Sequence, residues 1–405
     1  MSKPLDGIRV LDVSSYVFVP AAGAILADWG AEVIRVENPA HADPIRSIRE
    51  RGLPNEKDGL SFRWEQLNRG KHGIGIDMSK PEARPVLDAL VRTSDVFLTN
   101  MLPPARKRFG IDVDDVRRVN PRIVYARGSG QGPAGPESND AGFDTVAFWA
   151  RSGAAHQATP DDRPAPAEIP SLGFGDNMSG IALAGGVAAA LAHRERSNEA
   201  LVVDVSLLGT AMWGLESAIV PVKELELDQM PRPARTAASE PLWQAYRTAD
   251  GRFILLTFQP SDRYWPGFCE VAAVPELATD PRLATAAARS TNSAYCVDVL
   301  DELFATKTLE EWIGLLAQQR GVWAVVSTPA EVHHDPQVLA NGYLREVHYP
   351  DDRRMTLVSS PVQFDGGQVE LSPAPDLGAD TDAILSEAGF DSDEVDRLRA
   401  AGAVQ

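Results

Sequence analysis

An acidic residue flanked by glycines is the feature of the sequence with the clearest chemical potential. The run Pro170-Ser-Leu-Gly-Phe-Gly-Asp176-Asn-Met-Ser-Gly180 leads into a stretch of small residues at 181–193, which predicts a helix. Asp followed by Ser three positions later is common at helix N-termini, so one interpretation of Asp176 is an N-cap. The other is a nucleophile, because the glycines would let a bulky substrate approach the backbone and helix-start amides would stabilise a negative oxygen.

The sequence lacks the motifs that dinucleotide binding, metal binding and serine-hydrolase chemistry would require. The spacing of Gly130-Gln-Gly132-Pro-Ala-Gly135 satisfies a dinucleotide-binding pattern, but Pro136 stands where a helix should open, and the loop after the first predicted strand contains no glycine. The seven histidines lack metal-binding spacing, and the two cysteines, Cys269 and Cys296, form no Cys-x-x-Cys pair. The sequence also lacks a Walker loop and a serine-hydrolase elbow. We therefore expect no metal, nicotinamide or flavin.

A strand, helix, strand unit at the start of the chain is predicted to position a site. Residues 8–13, 20–28 and 32–36 have the patterns of a strand, a helix and a second strand. Such a unit implies a parallel sheet, whose ligands lie beyond the carboxyl ends of the strands. The loops at 14–19 and 37–49 should therefore border a site. Further strands are predicted at 73–76, 96–99, 123–127 and 201–205, with helices at 81–93 and 178–194.

A second, smaller domain is predicted in the middle of the chain. Residues 243–246 and 253–258 flank Ala249-Asp-Gly251, a tight-turn signal for an antiparallel hairpin. Helices are predicted to follow at 293–305 and 309–318, and an acidic helix is predicted at 392–401. The predicted organisation is a large α/β domain at 1–225 plus 335–405 and a small domain at 226–334.

The charge balance of the chain limits its partners. The 405 residues include 39 Lys and Arg against 57 Asp and Glu, a net charge of −18, which disfavours a general attraction to nucleic acid or anionic lipid. The longest apolar run, at 181–192, is shorter than the roughly 20 residues of a membrane span, and the start of the chain lacks an apolar leader. We expect a soluble, cytoplasmic protein with no nucleic-acid or membrane partner.

Several short segments occur in a fixed order along the chain, among them Leu5-Asp-Gly-Ile-Arg-Val-Leu-Asp12, Asn68-Arg-Gly-Lys71 and the Gly175-Asp176 element. The others lie at 26–37, 120–125, 128–133, 335–337 and 374–378. Together they resemble, from end to end, the family III CoA-transferases, the CaiB/BaiF-like group that includes formyl-CoA:oxalate and carnitine CoA-transferases. The resemblance implies a Rossmann-like large domain with a parallel sheet, a smaller α+β domain and an interlocked homodimer.

By this resemblance Asp176 is the catalytic nucleophile, and coenzyme A enters only as part of the acyl-CoA substrate. The Asp176 carboxylate would attack the thioester of acyl-CoA and give a mixed anhydride, which CoA thiolate would convert to an aspartyl-CoA thioester. A carboxylic acid acceptor would then reverse these steps and leave with CoA. The identities of the donor and acceptor acids stay open.

The phosphates of CoA require local cationic groups in a protein that is acidic overall. The cationic candidates are Arg46, Lys71, Arg106, Lys107 and Arg108. The resemblance implies CoA contacts for Lys71, Asn100 and Arg108, and the predicted CoA-binding set is these three with Met101, Val17 and Arg46. Two positions depart from the family pattern, because Met101 replaces an expected aromatic residue and Asn38 stands where some members carry an adenine-stacking arginine.

The sequence leaves two alternatives to a transferase. The fold that the resemblance implies also hosts α-methylacyl-CoA racemases, which use a histidine in a Gly-His-Asp element. This chain has Gly142-Phe143-Asp144 at the corresponding position. Phenylalanine cannot carry a proton, which disfavours the racemase. A non-catalytic CoA-binding homologue is the second alternative, and the intact Gly175-Asp176 element disfavours it.

Overall fold

A computed structural model describes residues 3–49 and 52–405 of the chain. These residues form two compact units, one that extends to Asp228 and resumes over Pro336–Gln405, and one that comprises Gln229–Asp335. In the described part of the chain, no helix has the length and apolar character that crossing a membrane requires.

The large unit is built on a six-stranded parallel sheet. Its strands are β1 (Arg9–Val13), β2 (Glu32–Glu37), β3 (His72–Gly75), β4 (Val96–Thr99), β5 (Val124–Ser129) and β6 (Val202–Ser206). They lie in the order β3-β2-β1-β4-β5-β6, and every neighbouring pair is parallel. The strand order reverses between β1 and β4, where doubly wound sheets bind their ligands. The predicted α/β fold with a parallel sheet is confirmed.

Helices cover both faces of this sheet, and alternate residues of each strand serve the two faces. Val10 packs in a core with Leu183, whereas its neighbour Leu11 packs in the opposite core with Leu87. The helices are α1 (Phe18–Asp28), α2 (Phe62–Asn68), α3 (Ala83–Thr93), α4 (Pro103–Phe109), α5 (Val113–Val119), α6 (Ala154–Ala158), α7 (Phe174–Ser197), α8 (Leu207–Gly214) and α9 (Glu216–Glu224). A short 3₁₀ helix at Pro44–Arg46, a π-helix at Asp144–Ala150 and a small hairpin pairing Glu56–Lys57 with Leu60–Ser61 complete this part.

Helix α7 lies against α1 and carries the glycine-rich acidic element. A Cβ atom on Gly180 would lie 2.9 Å from the Cβ of Ala21, so the absence of a side chain allows the two helices to approach closely. The helix begins at Phe174, four residues before the predicted start, and its N-cap is Gly173 with φ of +84°. The interpretation of Asp176 as an N-cap is therefore wrong, because Asp176 lies inside the first helical turn.

The small unit has its own antiparallel sheet and its own core. Strands β7 (Ala245–Arg247) and β8 (Phe253–Thr257) form the predicted hairpin, and β9 (Val322–Val325) pairs with the other edge of β8. Its core is rich in aromatic side chains, among them Trp265 and Phe304. The helices are α10 (Ser261–Val271), α11 (Ala286–Thr291), α12 (Ser293–Phe304), α13 (Leu309–Leu316) and α14 (Pro329–Val332), with 3₁₀ turns at Arg235–Ala237 and Pro275–Ala278.

The C-terminal segment belongs to the large unit. It contains α15 (Pro336–Asn341), an antiparallel pair of β10 (Leu344–His348) and β11 (Arg354–Val358), α16 (Thr381–Glu387) and α17 (Ser392–Ala400). Val404 pairs with Ile76, which follows β3, and both side chains are buried. The end of the chain therefore helps to cover the β3 edge of the sheet.

Candidate active site

A cavity of about 320 Å³ lies where the strand order of the large sheet reverses. The loops after β1, β4 and β5 contribute most of its wall, together with the segment before the π-helix and the first turn of α7. Its lining residues include Tyr16, Val17, Phe18, Asn100, Met101, Leu102, Arg106, Arg127, Ser129, Phe143, Asp176 and Asp204. The predicted location of a site beside the 14–19 loop agrees with this geometry.

The loops after β1 and β4 are joined by hydrogen bonds that shape the cavity wall. The Ser15 backbone N–H donates to Asn100 Oδ1 at 2.9 Å, and Asn100 Nδ2 donates to the Ser15 carbonyl at 2.6 Å. Tyr16 has the left-handed φ of +65°, and its N–H donates to the buried Asp43 carboxylate. The Tyr16 ring meets Phe143 edge to face at 5.4 Å between centroids. These contacts hold two aromatic rings at the cavity.

The Asp176 carboxylate is the buried acid of this cavity. Asp176 is the third residue of α7 and is 9% exposed. Burial and the neighbouring Asp144 charge raise the pKa of Asp176 to about 7, while the Arg63 guanidinium opposes the rise. Near neutral pH a larger fraction of this carboxyl group is therefore protonated than in an ordinary aspartate, which is fully ionised.

Asp144 supplies the N-terminal cap that Gly173 cannot provide. The Asp144 Oδ2 atom accepts a hydrogen bond from the Gly173 N–H at 2.8 Å, and the Gly175 N–H also donates to this carboxylate. Asp144 is 1% exposed, and burial raises its pKa, although the backbone donors oppose this. A buried carboxylate thus fixes the start of α7 and places a like charge beside Asp176.

The glycines beside Asp176 have a packing role that differs from the sequence interpretation. A Cβ on Gly175 would collide with the ring of Phe148, and a Cβ on Gly180 would lie 3.0 Å from the Phe18 carbonyl oxygen. Gly173 needs its positive φ to begin the helix. Protein atoms, and not a substrate, occupy the space that Gly175 and Gly180 leave open.

Arg63 is a charged neighbour of Asp176 that the sequence analysis does not identify. Its Nη1 atom donates to the Leu172 carbonyl at 3.0 Å, directly before the N-cap of α7, and its charge lowers the pKa of both Asp176 and Asp144. A lone arginine in helix α2 has no motif around it, so only the fold brings it close to Asp176.

The candidate CoA-binding residues fall into three groups. Val17, Asn100 and Met101 line the cavity together with Asp176. Arg108 is exposed near the end of α4, with its guanidinium 4.5 Å from the Phe109 ring centroid. Lys71 and Arg46 are outside the cavity lining, and both have partners within the protein.

Lys71 and Arg46 are held by internal contacts. Lys71 Nζ donates to Asp12 Oδ2, the Pro20 carbonyl and Asn68 Oδ1 at 2.8 to 3.0 Å, and burial lowers the pKa of Lys71 to about 8. Arg46 donates two hydrogen bonds to the Glu37 carboxylate and lies 3.4 Å from the Trp64 ring centroid. All three donors of Lys71 are used within the protein, so a phosphate contact by Lys71 would have to replace one of these bonds, and its place in the CoA site stays a prediction.

A second cavity of about 130 Å³ adjoins the first and shares Met101 with it. It lies beyond the carboxyl ends of β1 and β2 and is lined by Asn38, His41 and Phe109, among others. Asn38, the position of the missing arginine, donates to Asp77 Oδ1 at 3.2 Å. The Asn38 amide is thus oriented by a neighbouring acid.

Known proteins similar to this chain point to one enzyme family. Residues 5–381 match the model of CoA-transferase family III. An (R)-2-hydroxy-4-methylpentanoate CoA-transferase of Clostridioides difficile is 30% identical over 98% of both chains. A probable fatty acyl-CoA transferase of Mycobacterium tuberculosis, Rv3272, is 32% identical over 95% of this chain and 98% of its own. The crystal structure of a variant of Rv3272 superposes with a TM-score of 0.80 at 31% identity, over 95% of this chain and 99% of the other.

Proposed function

We propose that Asp176 is the catalytic nucleophile, from the premise that this chain belongs to CoA-transferase family III. The chain is an enzyme of that family, with acyl-CoA and a carboxylic acid as its substrates. The observation that carries the proposal is the Asp176 carboxylate, which lies in the first turn of α7 at the wall of the cavity and has a pKa of about 7.

The reaction proceeds through two covalent states of Asp176. A carboxylate oxygen attacks the thioester carbonyl carbon, the carbon–sulfur bond breaks, and CoA leaves as a thiolate. The thiolate attacks the Asp176 carbonyl carbon of the resulting anhydride, which releases the donor acid as a carboxylate and leaves an aspartyl-CoA thioester. The acceptor carboxylate repeats these steps in reverse. One negative charge is carried through each step, so no proton has to be supplied.

The surroundings of Asp176 suit this role. A buried carboxylate is poorly solvated and therefore more reactive towards a carbonyl carbon than an exposed one. Its raised pKa means that the active, ionised form increases as the pH rises through about 7. Acyl transfer should therefore rise with pH over this range and reach a plateau above it.

CoA binding is proposed to involve the six candidate residues in two ways. Val17, Asn100 and Met101 would contact the part of acyl-CoA nearest to Asp176, since all three line its cavity. Arg108, exposed near the end of α4, would contact phosphate. Lys71 and Arg46 would act through the loops that they hold, because their donors are bonded to protein groups.

The racemase alternative gains no support from the cavity. Phe143 lines it and is 52% exposed, so a ring without a titratable group stands at the position of the racemase histidine. Incubation with an acyl-CoA and an acceptor acid in deuterated water separates the possibilities. We expect CoA exchange between acids without deuterium at the α-carbon, whereas α-deuteration without exchange would favour the racemase.

We also propose an interlocked homodimer, as the family resemblance implies. Interlocked chains separate only when a ring opens, so the dimer should persist at nanomolar concentration until it unfolds. Light scattering and mass photometry measure this directly. A folded, active monomer in rapid exchange with a dimer would contradict the proposal.

Chemical trapping tests the nucleophile. Hydroxylamine added during turnover with acyl-CoA should convert Asp176 to a hydroxamate that mass spectrometry locates in its peptide. Asp176→Ala should abolish transfer and labelling, while Asp391→Asn, a substitution at an exposed helix cap, should change neither. Labelling of a different acid, or turnover by the alanine variant, would remove Asp176 from this role.

A further inference from the structure

Among the described residues, two cations line the Asp176 cavity, and each already has an anionic partner. Arg127 on β5 and Asp204 on β6 are directly opposed in the parallel register. Arg127 donates to both Asp204 oxygens, with Nη2 to Oδ2 at 3.2 Å. The sheet therefore builds this ion pair into the cavity wall, and the positive charge of Arg127 is balanced before any substrate enters.

Arg106, the other cation, is oriented by the protein in a similar way. Its Nε donates to Asp112 Oδ1 at 3.1 Å, and its Nη1 donates to the Met101 carbonyl at 2.8 Å. The Asn100 amide is also committed, since both of its polar atoms bond to the Ser15 backbone. An additional anionic group on a substrate would therefore meet two cations whose charges are already balanced by Asp204 and Asp112.

The rest of the wall favours uncharged groups. Tyr16, Phe18, Leu102 and Phe143 present aromatic and aliphatic surface to the cavity. Ser129 accepts a hydrogen bond from the Gly132 N–H at 3.1 Å, which leaves its hydroxyl proton free to bond a neutral polar substituent. Burial of hydrocarbon against this apolar surface is favourable, whereas a second carboxylate placed against it would lose its hydration at an energetic cost.

We infer that the acids exchanged at this site carry a single carboxylate and an uncharged, largely apolar body, and that Asp204 helps to exclude dicarboxylic acids by neutralising Arg127. The inference rests on the proposed function, because it takes Asp176 as the group that meets the reacting carboxylate. The remainder of the acid then lies in a cavity whose cations are internally paired.

Isotope exchange tests the inference without knowledge of the natural acid pair. Pentanoyl-CoA with labelled pentanoate, and glutaryl-CoA with labelled glutarate, compare chains of equal length that differ in a second carboxylate. The label enters the thioester only if CoA is transferred. We expect kcat/KM for pentanoate exchange to exceed that for glutarate by at least about tenfold, the scale of one charge-assisted contact. Exchange with 3-phenylpropanoyl-CoA and succinyl-CoA extends the comparison to an aromatic acid and a shorter diacid.

Asp204→Asn tests the role of the ion pair. Asparagine keeps the shape of the side chain and leaves the Arg127 charge unbalanced, so the ratio of glutarate to pentanoate exchange should increase by about tenfold. Asp115→Asn makes the same change in an exposed ion pair with Arg118 on α5 and should leave this ratio unchanged. Circular dichroism and thermal melting establish that each variant is folded.

The outcomes separate the inference from the proposed function. Glutarate exchange equal to or faster than pentanoate exchange in the wild type would overturn the substrate class and leave the transferase intact. An unchanged ratio in folded Asp204→Asn would remove the role of Asp204. Absence of exchange with all four thioesters would overturn the inferred substrate class, whereas hydroxylamine labelling of an acid other than Asp176 would overturn the proposed function.

Discussion

Replacing Asp176 with asparagine is expected to inactivate the enzyme and, at the same time, to stabilise its fold. The pKa of Asp176 is raised from the ordinary 3.8 to about 7, first by burial and then by the Asp144 charge. Between about pH 4 and about pH 7 the folded state therefore binds more protons than the unfolded state, and stability falls as the pH rises through this window. Asparagine has nearly the same size and no charge, so it removes this cost.

The magnitude follows from the two pKa values. One pKa unit corresponds to about 1.4 kcal/mol, so the ionised carboxylate lowers the stability of the folded protein by up to about 4 kcal/mol above pH 7. Asp176→Asn should recover a part of this at about pH 8 and nearly none at about pH 4, where Asp176 is protonated in the fold. The gain should therefore depend on pH with the sign opposite to that of a salt-bridged aspartate.

Denaturant unfolding at these two pH values, at one protein concentration, measures the effect. Asp391→Asn is the matched control, since it makes the same substitution at the N-cap of α17, where Oδ1 accepts from the Glu394 N–H at 2.9 Å. The control should lose about 0.3–1 kcal/mol, because it removes a negative charge from a helix N-terminus, and should gain nothing at high pH. A folded Asp176→Asn variant that is no more stable than the wild type at about pH 8 would refute the electrostatic reasoning.

Three further variants, one of them with a matched control, test the start of α7 and the buried Lys71 ion pair. Asp144→Asn removes the neighbouring charge, so the midpoint of the acid limb of kcat/KM should move to lower pH, whereas an unchanged midpoint would contradict the like-charge effect. Gly175→Ala should destabilise α7 by about 1–3 kcal/mol in thermal melting because of Phe148, while Gly185→Ala in the same helix, with open space at its Cβ, should be neutral or stabilising. Lys71→Met removes one of the two cations that pair with the buried Asp12, the other being Arg35, and should lower the free energy of unfolding by about 1.5–3 kcal/mol in denaturant unfolding. Full stability with weakened CoA binding would instead support a phosphate contact.

Local patterns in the sequence were sufficient for the framework that carries the site. The β-branched runs at the start of the chain predicted β1 and β2, and the turn residues before Gly251 predicted the hairpin of the small unit. Each of these elements is determined by residues that are close in sequence. The Gly175-Asp176 element also identified an acid that lies in the first turn of α7 at the cavity wall.

Contacts between distant residues account for what the sequence interpretation missed. Helix α7 begins earlier than predicted because its cap comes from Asp144, 29 positions before Gly173. Lys71 is buried because Asp12, 59 positions earlier, supplies the counter-charge. No local pattern distinguishes such a lysine from a solvent-exposed one, so a motif that resembles a phosphate contact can in the fold be part of a buried ion pair.

The electrostatic cost at Asp176 also bears on the covalent chemistry. Burial and the Asp144 charge both oppose the ionised carboxylate, but the anhydride and the CoA thioester of Asp176 are neutral and do not incur this penalty. The same environment that lowers stability by up to about 4 kcal/mol therefore favours the acylated states over the free carboxylate. Asp144 accepts hydrogen bonds from the Gly173 and Gly175 amides, and neither bond involves the Asp176 side chain, so we expect the helix start to be held when acylation removes the charge of Asp176. In the proposed mechanism, the loss of folding stability and the reactivity of Asp176 as a nucleophile have the same main origin, the desolvation of its carboxylate.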